Sequence, residues 1–481
     1  MSDLCSFTLD LTLDDHRPPH DHDELTVNLD ALTEDALTDR STAAGEPSWL
    51  LDRRLAAFKR YVDQPWPDSR QDEFWRSTPF DRRITVDREV VTGTDADVAD
   101  IPASVTAALE LETALVRIVD GQVVDTSVPT SLAEQGLIVT DLGTAAQEHP
   151  ELVRAALGSL TTSDPDGTGA DEDRTITVND AAWTTGVFVH VPPELELVAP
   201  IGIHIHVTRP GAHLPRVLAV VERHAKATLY LEHTSVEGVD ALVDEVLELV
   251  ARDGSEVQLA TLQSWANQVQ HLSLQKVQAH RDATVRTLSV TTGGATVRFR
   301  PETDLVGPGS EVRPLGVYFA DEGQWFDLQP YIRHIAPHAS SDVLFKGALQ
   351  GKCQTVFRGN VFVHREAVGT ATDENNKSLI LTEGAHADST PFLEIECADI
   401  TAGHGSATGQ IDARHLFYLE SRGIPREEAL RLIVFGFFRE VLTELDLPGL
   451  EQAALGAIES RIADADLSSF QVNDAMLKDA E

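Results

Sequence analysis

The residues best suited to chemistry lie in one stretch near the carboxyl end of the chain. His404 stands between Gly403 and Gly405, after an apolar, strand-like run at 392–400 and before a helical pattern that begins at Ala413. Imidazole ligates iron or zinc when its second nitrogen is held by a hydrogen bond, and glycine neighbours let another backbone approach closely. The pattern predicts a tight Gly-His-Gly turn between a sheet and a helical tail. Spacing alone favours a structural turn histidine, and a metal ligand is the alternative.

The chain has three cysteines, Cys5, Cys353 and Cys397, and no two of them form a CxxC pair. This spacing supports neither a disulfide framework nor a self-contained zinc or iron–sulfur site. Cys397 is in phase with the apolar residues of its predicted strand, so we expect it to point into the core. Cys353 lies beside another β run and is interpreted in the same way. A thiolate ligand is the alternative at both positions.

Other histidines and acids are weaker candidates. His334 and His338 flank a proline-containing loop, and a spacing of four residues outside a helix gives little support for a metal pair. His364 is in phase with an apolar neighbour and is interpreted as a packed or rim histidine. Two polar groups are expected to be solvated: Glu383, His386 and Asp388 at a turn, and His16, His20 and His22 near the amino terminus, where a weak metal-binding tract is the alternative.

The sequence contains no recognisable nucleotide-binding motif. The nearest approach, GALQGKC at 347–353, has its two glycines one residue too close, and Cys353 replaces the magnesium-binding hydroxyl of a P-loop. No GxGxxG follows a strand, and no GxSxG nucleophile elbow is present. We therefore expect any ATP-driven step to come from a partner.

The composition is strongly acidic, with 78 acidic residues against 38 basic ones, a net charge of -40 and lysine at only seven positions. Nucleic acids and anionic membranes would be repelled, so neither is an expected partner. Sparse lysine and high acidity fit a salt-rich cytoplasm, where screening weakens self-repulsion. We expect a halophilic source, and an acidic protein from a low-salt cell is the alternative. The amino terminus lacks a basic region, and LIVFGFF is too short to span a bilayer, so a soluble cytoplasmic protein is expected.

The elements that must position the candidate residues fall into four predicted segments. They are an acidic, disordered lead-in at 1–45, a helical and α/β part at 46–170, a β core at 171–412, and a helical part with a tail at 413–481. An amphipathic helix capped by Ser48 and stopped by Pro65 is predicted early in the second segment. In the last segment, Gly423 and Pro425 predict the boundary between two antiparallel helices, with a frayed tail after them.

The core segment shows short β runs for over 200 residues, with almost no helical period. Turns of small and polar residues recur between the runs, as at 252–254 and 307–309. This pattern indicates an all-β solenoid whose stacked rungs bury a continuous apolar strip. A sandwich or barrel has the same local pattern and is the alternative. The runs are VFVHVP, IGIHIHV, VLAVVE, ATLYLEH, EVLELVA, EVQLATL, TVRTLSV, ATVRFRP, VRPLGVYFA, DVLFKGAL, QTVFRGNVFVH, SLILTEG and FLEIECADI.

Several blocks of this sequence resemble the SufB/SufD family of iron–sulfur cluster assembly proteins, and the resemblance spans roughly residues 46–445. The most specific blocks are FRGNVFV at 357–363, NNKSLILTEGAHADSTPFLEI at 375–395, GHGSATGQID at 403–412 and LFYLESRGIPREEAL at 416–430. The upstream segment GVYFADEGQWFDLQPYIRHIAPHASSDVLFKGAL is similar to the core of the same family.

Two positions make the chain resemble the SufD type more than the SufB type. SufB-type chains carry a cysteine before the strand that reads SLIL here, where this chain has Asn376, and a Glu-His-Glu in place of the glycine-flanked His404. SufD-type chains carry Ser-His-Gly followed by GQ(I/L)D, which His404, Gly405 and the GQID at 409–412 match. They also carry a preceding cysteine, where this chain has Ala402. The resemblance therefore carries over the histidine and not the thiolate.

The resemblance implies a right-handed parallel β-helix core flanked by helical parts. It implies a non-catalytic scaffold subunit that binds no nucleotide itself, pairs with a SufB-like subunit and binds a SufC-like ABC-type ATPase. A transient iron–sulfur cluster would form at the subunit interface with His404 as a ligand. Cys397 and Cys353 are secondary candidates from their residue type alone, and the resemblance does not supply them. The helices between 413 and 442 would dock the ATPase through Leu416, Phe417, Arg422, Leu430 and Phe437.

Two further function classes stay open. A carbohydrate-active β-helix enzyme needs clustered carboxylates in a cleft on the outer sheet face, for acid/base catalysis or calcium binding. The acidic residues here look scattered and concentrate at turns. A homodimeric scaffold that replaces both subunits is the other possibility, and the absence of cysteine at Asn376 would leave it without a thiolate at the site.

Overall fold

The computed structural model describes residues 28–93, 114–161, 173–445, 447, 449–463 and 467–473. The predicted histidine tract and Cys5 lie outside the described residues. The prediction of a disordered lead-in does not hold for 28–45, which contains a helix at Glu34–Ala43 whose first turn is capped by the Thr33 side chain. Leu29 and Leu37 are buried against the neighbouring helix and solenoid, and this apolar contact holds the segment in place.

Helices flank the β core at both ends of the described chain. They are α1 Glu34–Ala43, α2 Ser48–Asp63, α3 Phe80–Arg83, α4 Thr130–Ala133, α5 Leu142–Glu148, α6 Pro150–Ala156, α7 Arg174–Ala182, α8 Ala413–Ser421, α9 Arg426–Leu442 and α10 Leu450–Ala463, with 3₁₀ turns at Leu29–Ala31, Glu73–Trp75 and Leu467–Ser469.

The β-strands occupy most of the chain between these helical parts. They are β1 Leu115–Val119, β2 Gln122–Ser127, β3 Ile138–Asp141, β4 Thr185–Val191, β5 Ile201–Val207, β6 Gly211–His213, β7 Pro215–Val221, β8 Lys226–Ser235, β9 Ala241–Ala251, β10 Glu256–Ser264, β11 Gln270–Ala279, β12 Thr284–Thr291, β13 Thr296–Leu305, β14 Glu311–Ala320, β15 Trp325–Leu328, β16 Tyr331–His334, β17 Ser340–Leu349, β18 Gln354–Phe357, β19 Asn360–Val363, β20 Thr370–Ile380, β21 His386–Ser389, β22 Phe392–Ile395, β23 Ile400–Gly409, β24 Ile411–Asp412 and β25 Val472–Asn473.

Most strands belong to two long, predominantly parallel sheets. The first has the order β2-β1-β5-β8-β10-β12-β14-β17-β20-β23, and the second has the order β21-β18-β15-β13-β11-β9-β7-β4-β3, with β16, β19 and β22 continuing it beside β13. Gln270 pairs with Thr296, and Gln354 pairs with His386, so one turn takes 26 to 32 residues. The chain is therefore a β-solenoid of about 8 turns, which confirms the predicted fold. Its right-handed sense stays a prediction of the family resemblance.

The solenoid is buried on its inner face and on much of its outer face. Alternate residues of each strand, such as Leu229 and Leu231 of β8, point inward into one continuous apolar cluster. The outward Tyr230 and Leu262 of the first sheet belong to the cluster formed with α8 to α10. On the second sheet, α1, α2 and α7 cover residues such as Leu242. Parallel sheets covered on both faces read as near-continuous apolar runs, and the sequence has this pattern.

The ten-residue strands β11 and β23 were not predicted, and one predicted run is interrupted. β11 contains Gln, Ser and Lys distributed over both faces, and β23 consists mainly of small residues, so neither has the apolar pattern of its neighbours. Their backbone pairing with adjacent turns defines them as strands. The run QTVFRGNVFVH is two strands, β18 and β19, with Gly359 in the break.

The carboxyl-terminal helices follow the predicted boundary and then extend beyond it. Gly423 has a φ of +86° after α8, and Pro425 precedes α9. The additional helix α10 follows, and Leu467 and Phe470 are buried beyond it, so the expected frayed tail is packed over 467–473. None of the helices that the structure describes has the length and apolarity needed to cross a membrane.

The amphipathic helix α2 ends before Pro65 as predicted, but Ser48 is its first residue and not its cap. Pro47 occupies the cap position without a side-chain hydrogen bond.

Candidate functional site

The carboxyl-terminal end of the solenoid is open. β23 pairs with β20 on one side, and no described strand pairs with its other side; β21 and β22 end the second sheet in the same way. We call the last turn, formed by β21, β22 and β23, the open end. An unpaired edge strand presents a row of free N–H and C=O groups to any chain that can pair with it. The open end is therefore the part of the solenoid best suited to contact another subunit.

His404 lies in the middle of β23, so the predicted Gly-His-Gly turn is wrong. The segment is extended and pairs residue by residue with β20, with Glu374 beside His404. The flanking glycines have a different role. A Cβ atom on Gly403 would lie 2.7 Å from Asp373 Oδ1, and one on Gly405 would lie 2.7 Å from Asn375 Oδ1. Glycine thus leaves room on the outer face for these side chains of the preceding turn.

The strand register places His404 on the inner face of the last turn. This face looks toward the lumen, the interior of the solenoid. Neighbouring residues in paired strands share one face of a sheet, and Glu374 is on the inner face of β20, in register with the buried core residue Val343. His404 continues this inner row and is exposed because it belongs to the last turn. Its imidazole is accessible to an ion or a second subunit at the mouth of the lumen.

The inner row of the first sheet changes from apolar to polar at two matched positions between β17 and β20. In β17, Val343 and Phe345 point inward, whereas Glu374 and Asn376 occupy the corresponding positions of β20. The five polar side chains of the β20 inner row are buried, and four of them have hydrogen-bonding partners, including Thr370, whose Oγ1 donates to Ala367 O at 2.8 Å. Thr372 lies 2.7 Å from Ser341, Ser378 lies 2.8 Å from Tyr318, and Asn376 Nδ2 donates to Ser389 Oγ at 3.0 Å.

Glu374 is the exception in this polar row. Its side chain is 1% exposed, and its Oε2 has no hydrogen-bond partner among the described residues. Burial, with a smaller contribution from Asp373, raises the pKa of Glu374 to about 8, so the carboxyl group is mainly protonated at pH 7. A Cβ atom on Gly359 would lie 1.2 Å from Glu374 Oε1, so this carboxyl group requires glycine on the opposite wall. A buried polar group without a partner costs about 1–3 kcal/mol, which calls for a functional reason.

The two described cysteines lie in different environments. Cys397 is partly buried in the loop between β22 and β23 and packs against the inner cluster, so it shares the open end with His404. It is not in a strand, because β22 ends at Ile395. Cys353 is buried in the core, and burial raises its thiol pKa to about 12. This shift disfavours the thiolate that a metal requires.

The remaining histidine candidates are separate from the open end or from one another. His334 is buried, with Nε2 2.9 Å from Ser341 Oγ, and burial lowers its pKa to about 4. His338 is exposed, so these two do not form a metal pair. His364 is half-buried, and its Nδ1 accepts the Glu366 N–H at 3.3 Å.

The cluster at 383–388 is solvated as predicted: Glu383, His386 and Asp388 are all exposed. Nowhere in the described ranges do three His, Cys, Asp or Glu side chains come together in a way that could hold a metal ion.

Three of the five residues predicted to dock an ATPase pack between the carboxyl-terminal helices and the first sheet. Leu416 and Leu430 are 2% and 1% exposed and pack in the cluster between the helices and the first sheet. Phe437 is half-buried, with Lys346 Nζ 4.6 Å from its ring centroid. The same Lys346 pairs with Glu440 at 2.6 Å, which ties α9 to β17. These side chains position the helical part on the solenoid.

The other two predicted docking residues, Phe417 and Arg422, lie on the surface beside Tyr418, which was not predicted. Phe417 and Tyr418 are 64% and 57% exposed, and the Arg422 guanidinium lies 5.2 Å from the Tyr418 ring centroid. We call Phe417, Tyr418 and Arg422 the aromatic patch. Exposed aromatic and arginine side chains are typical of protein-binding surfaces.

Glu374 is the residue of this site that the sequence reasoning missed. The strand TATDENNKSLI is polar at positions that face both ways, which is unusual for a buried parallel strand. Polar residues on both faces of this strand were the signal that the sequence offered. That signal could not show which residue faces the lumen, because this depends on the register with β17.

Comparison of the sequence with known proteins shows the family to which the chain belongs. The family model described as SUF system FeS cluster assembly, SufBD core domain, matches residues 204–437, and the SufBD protein N-terminal region matches residues 38–203. The chain belongs to the SufBD family. It is a SufD-like iron–sulfur cluster assembly protein, and the predicted family resemblance is confirmed.

Individual relatives in the SufBD family align with most of the length of this chain. An iron–sulfur cluster assembly SufBD family protein of Mycobacterium leprae is 36% identical over 303 residues, which are 61% of this chain and 76% of that protein. The iron–sulfur cluster assembly protein SufD of Bacillus subtilis is 28% identical over 426 residues, which are 87% of this chain and 95% of that protein. A SufBD family protein of Staphylococcus epidermidis is 26% identical over 452 residues, which are 89% and 93% of the two chains.

Proposed function

We propose that this chain is a non-catalytic scaffold subunit of a SUF assembly complex. It pairs with a SufB-like subunit through the open end of the solenoid and docks a SufC-like ATPase on its carboxyl-terminal helices. A transient iron–sulfur cluster forms between the paired subunits, with His404 as a ligand from this chain. The cluster is the cargo of the complex and not a resident cofactor of the chain.

The observation that carries this proposal is the free edge of β23 with an exposed histidine at its centre. β23 is ten residues long, and no described strand pairs with its outer edge. A protein that leaves such an edge unprotected risks aggregation unless a partner covers it. His404 points toward the same opening, so a chain paired with β23 would lie beside its imidazole.

The small number of ligands at the open end supports a second subunit. An iron–sulfur cluster is normally held by several cysteine thiolates, with histidine as an occasional substitute. The described residues place His404 and Cys397 there, and Cys353 lies in the core with a protonated thiol. Thiolates from a partner are therefore needed to complete a cluster site.

The aromatic patch supports the docking of a motor subunit. Phe417 and Tyr418 project from α8, while Leu416 on the same helix is buried against the solenoid. A partner bound at Phe417 would act on a helix that is packed directly on the first sheet. Movement of the partner could thus be transmitted to the solenoid without unfolding either part.

Coexpression with SufB-like and SufC-like chains from the same source tests the proposal. The tagged chain should retain both partners through purification at high salt, and the anaerobic complex should hold iron and sulfide. His404→Ala should leave the complex intact and lower its iron and sulfide content, whereas His386→Ala, an exposed histidine on neighbouring β21, should not. A lone homo-oligomer without the ATPase would contradict the proposal, as would cluster loading that is unchanged by His404→Ala.

A further inference from the structure

Glu374 combines three properties that a structural carboxyl group seldom has together. It lies inside the solenoid, its Oε2 has no hydrogen-bond partner among the described residues, and it is the direct cross-strand neighbour of His404. Paired strands are about 4.8 Å apart, so side chains at these two positions can reach one ion between them. The other polar residues of the same row have partners, so a general need for polarity in the lumen does not explain Glu374.

The wall opposite Glu374 is shaped around its carboxyl group. Gly359 lies in the break between β18 and β19, and any larger residue there would overlap Glu374 Oε1. The break also gives the carboxyl group space without providing a hydrogen bond to Oε2. A pocket that accepts a carboxyl group and leaves one of its oxygens unpaired is suited to a cation that arrives later.

We propose that Glu374 is a second protein ligand, beside His404, for ferrous iron delivered to the open end. The inference rests on the proposed function, because iron reaches this site as cargo for cluster assembly. Carboxylate and imidazole together form a donor set suited to divalent iron. Binding exchanges the carboxyl proton for the metal and releases that proton to solvent, with no change in oxidation state. The remaining positions are left for solvent or for the thiolates of a partner.

An anaerobic titration of the full-length chain with ferrous iron tests this role. We compare the wild type with Glu374→Gln, His404→Ala and the control Glu366→Gln, which removes an exposed acid in a loop. The wild type should bind one ferrous ion. Both site variants should bind it at least about tenfold more weakly, and the control should match the wild type. Cobalt(II), read by its visible absorption, serves as a second probe of the same site.

Each outcome decides the inference. A Glu374→Gln chain that binds iron like the wild type overturns it, even if His404→Ala binds weakly, and leaves the proposed function standing. A wild-type chain that binds no iron also overturns it. Loss of binding in Glu374→Gln counts as support only if this variant keeps the circular dichroism and melting behaviour of a folded chain. Failure of the proposed function is read separately, from the absence of the two partner chains in the coexpression experiment.

Discussion

Two carboxyl groups on the inner face of the solenoid have opposite environments. Glu245 of β9 lies in the middle of the molecule, with Oε1 3.1 Å from His233 Nε2 and Oε2 3.4 Å from His271 Nε2. Burial alone would raise its pKa, but the two histidines outweigh burial and lower the pKa below the ordinary value. Glu374, near the open end, has no such partner, and burial raises its pKa to about 8.

This difference in environment distinguishes Glu245, a charged group with a structural role, from Glu374, for which we propose a ligand-binding role. In the closed middle, the fold surrounds a charged group with partners from adjacent strands, as buried charges require. At the open end, the fold buries the same chemical group and leaves it neutral. Protein stability is commonly reduced at functional sites in this way. The following predictions test whether the division between closed middle and open end is real.

The largest effect is expected for the rates at which the two cysteine thiols are alkylated. Because burial raises the pKa of Cys353 from about 9 to about 12, its thiolate fraction near pH 8 falls about 1000-fold relative to the unfolded chain. In a Cys5→Ser background, iodoacetamide should label Cys353 at least about 1000-fold more slowly in native protein than in urea. Cys397 at the open end should lose much less reactivity on folding. Equal protection of the two thiols would remove the distinction between the regions.

Glu245→Gln should destabilise the protein by about 3 kcal/mol at pH 7, because two interactions with a buried charge are weakened at once. A carboxyl group with a lowered pKa stabilises the fold above its unfolded pKa and loses this contribution as the pH falls. The difference from the wild type should therefore persist at pH 6 to 8 and shrink below about pH 4. Urea unfolding across this range measures it, and a variant as stable as the wild type would refute the structural role.

Glu374→Gln should have the opposite sign and stabilise the protein by about 3 kcal/mol at pH 7. The folded chain keeps this carboxyl group protonated up to a pKa of about 8, whereas the unfolded chain ionises it near pH 4.5. Wild-type stability should thus fall relative to the variant as the pH rises from about 4.5 to about 8. The two curves should meet near pH 4. A destabilised variant at pH 7 would mean that Glu374 has a stabilising partner in the fold.

His404→Ala should change the free energy of unfolding by less than about 0.5 kcal/mol, because the side chain is exposed at the last turn. Leu416→Ala provides the contrast, since removing this buried side chain should cost about 3 kcal/mol. Thermal unfolding of the two variants beside the wild type measures both effects. A large loss for His404→Ala would assign the histidine a structural role.

Repetition made the fold predictable from the sequence, and the family motifs singled out His404 as the candidate ligand, which stays a prediction. Runs such as IGIHIHV and EVLELVA are largely apolar, and recurrent turns of small and polar residues separate them. β23 was not recognisable because GHGSATG has no apolar period, and its extended form depends on hydrogen bonds from β20. Glu374 was missed for a related reason. Its importance comes from register with Val343 and His404, which are about 30 residues away in each direction, and sequence spacing does not contain that information.

The burial of Leu416 and Leu430 could also not be separated from the exposure of Phe417 by sequence alone. All three are apolar residues at helical spacing in α8 and α9, and the helical period indicates an apolar face without showing which neighbour covers it. The first sheet covers Leu416 and Leu430, and no described residue covers Phe417 to the same extent.

Hydrogen exchange of β23 tests the central claim most directly, that the open end is where a second subunit binds. Exchange by mass spectrometry should be measured on the free chain and on the complex purified with its SufB-like and SufC-like partners. The account predicts that amides in Ile400–Gly409 exchange at least about tenfold more slowly in the complex, while the buried strand Ala241–Ala251 is unchanged. Unchanged exchange in Ile400–Gly409 within an intact complex would contradict the account and place the interface elsewhere.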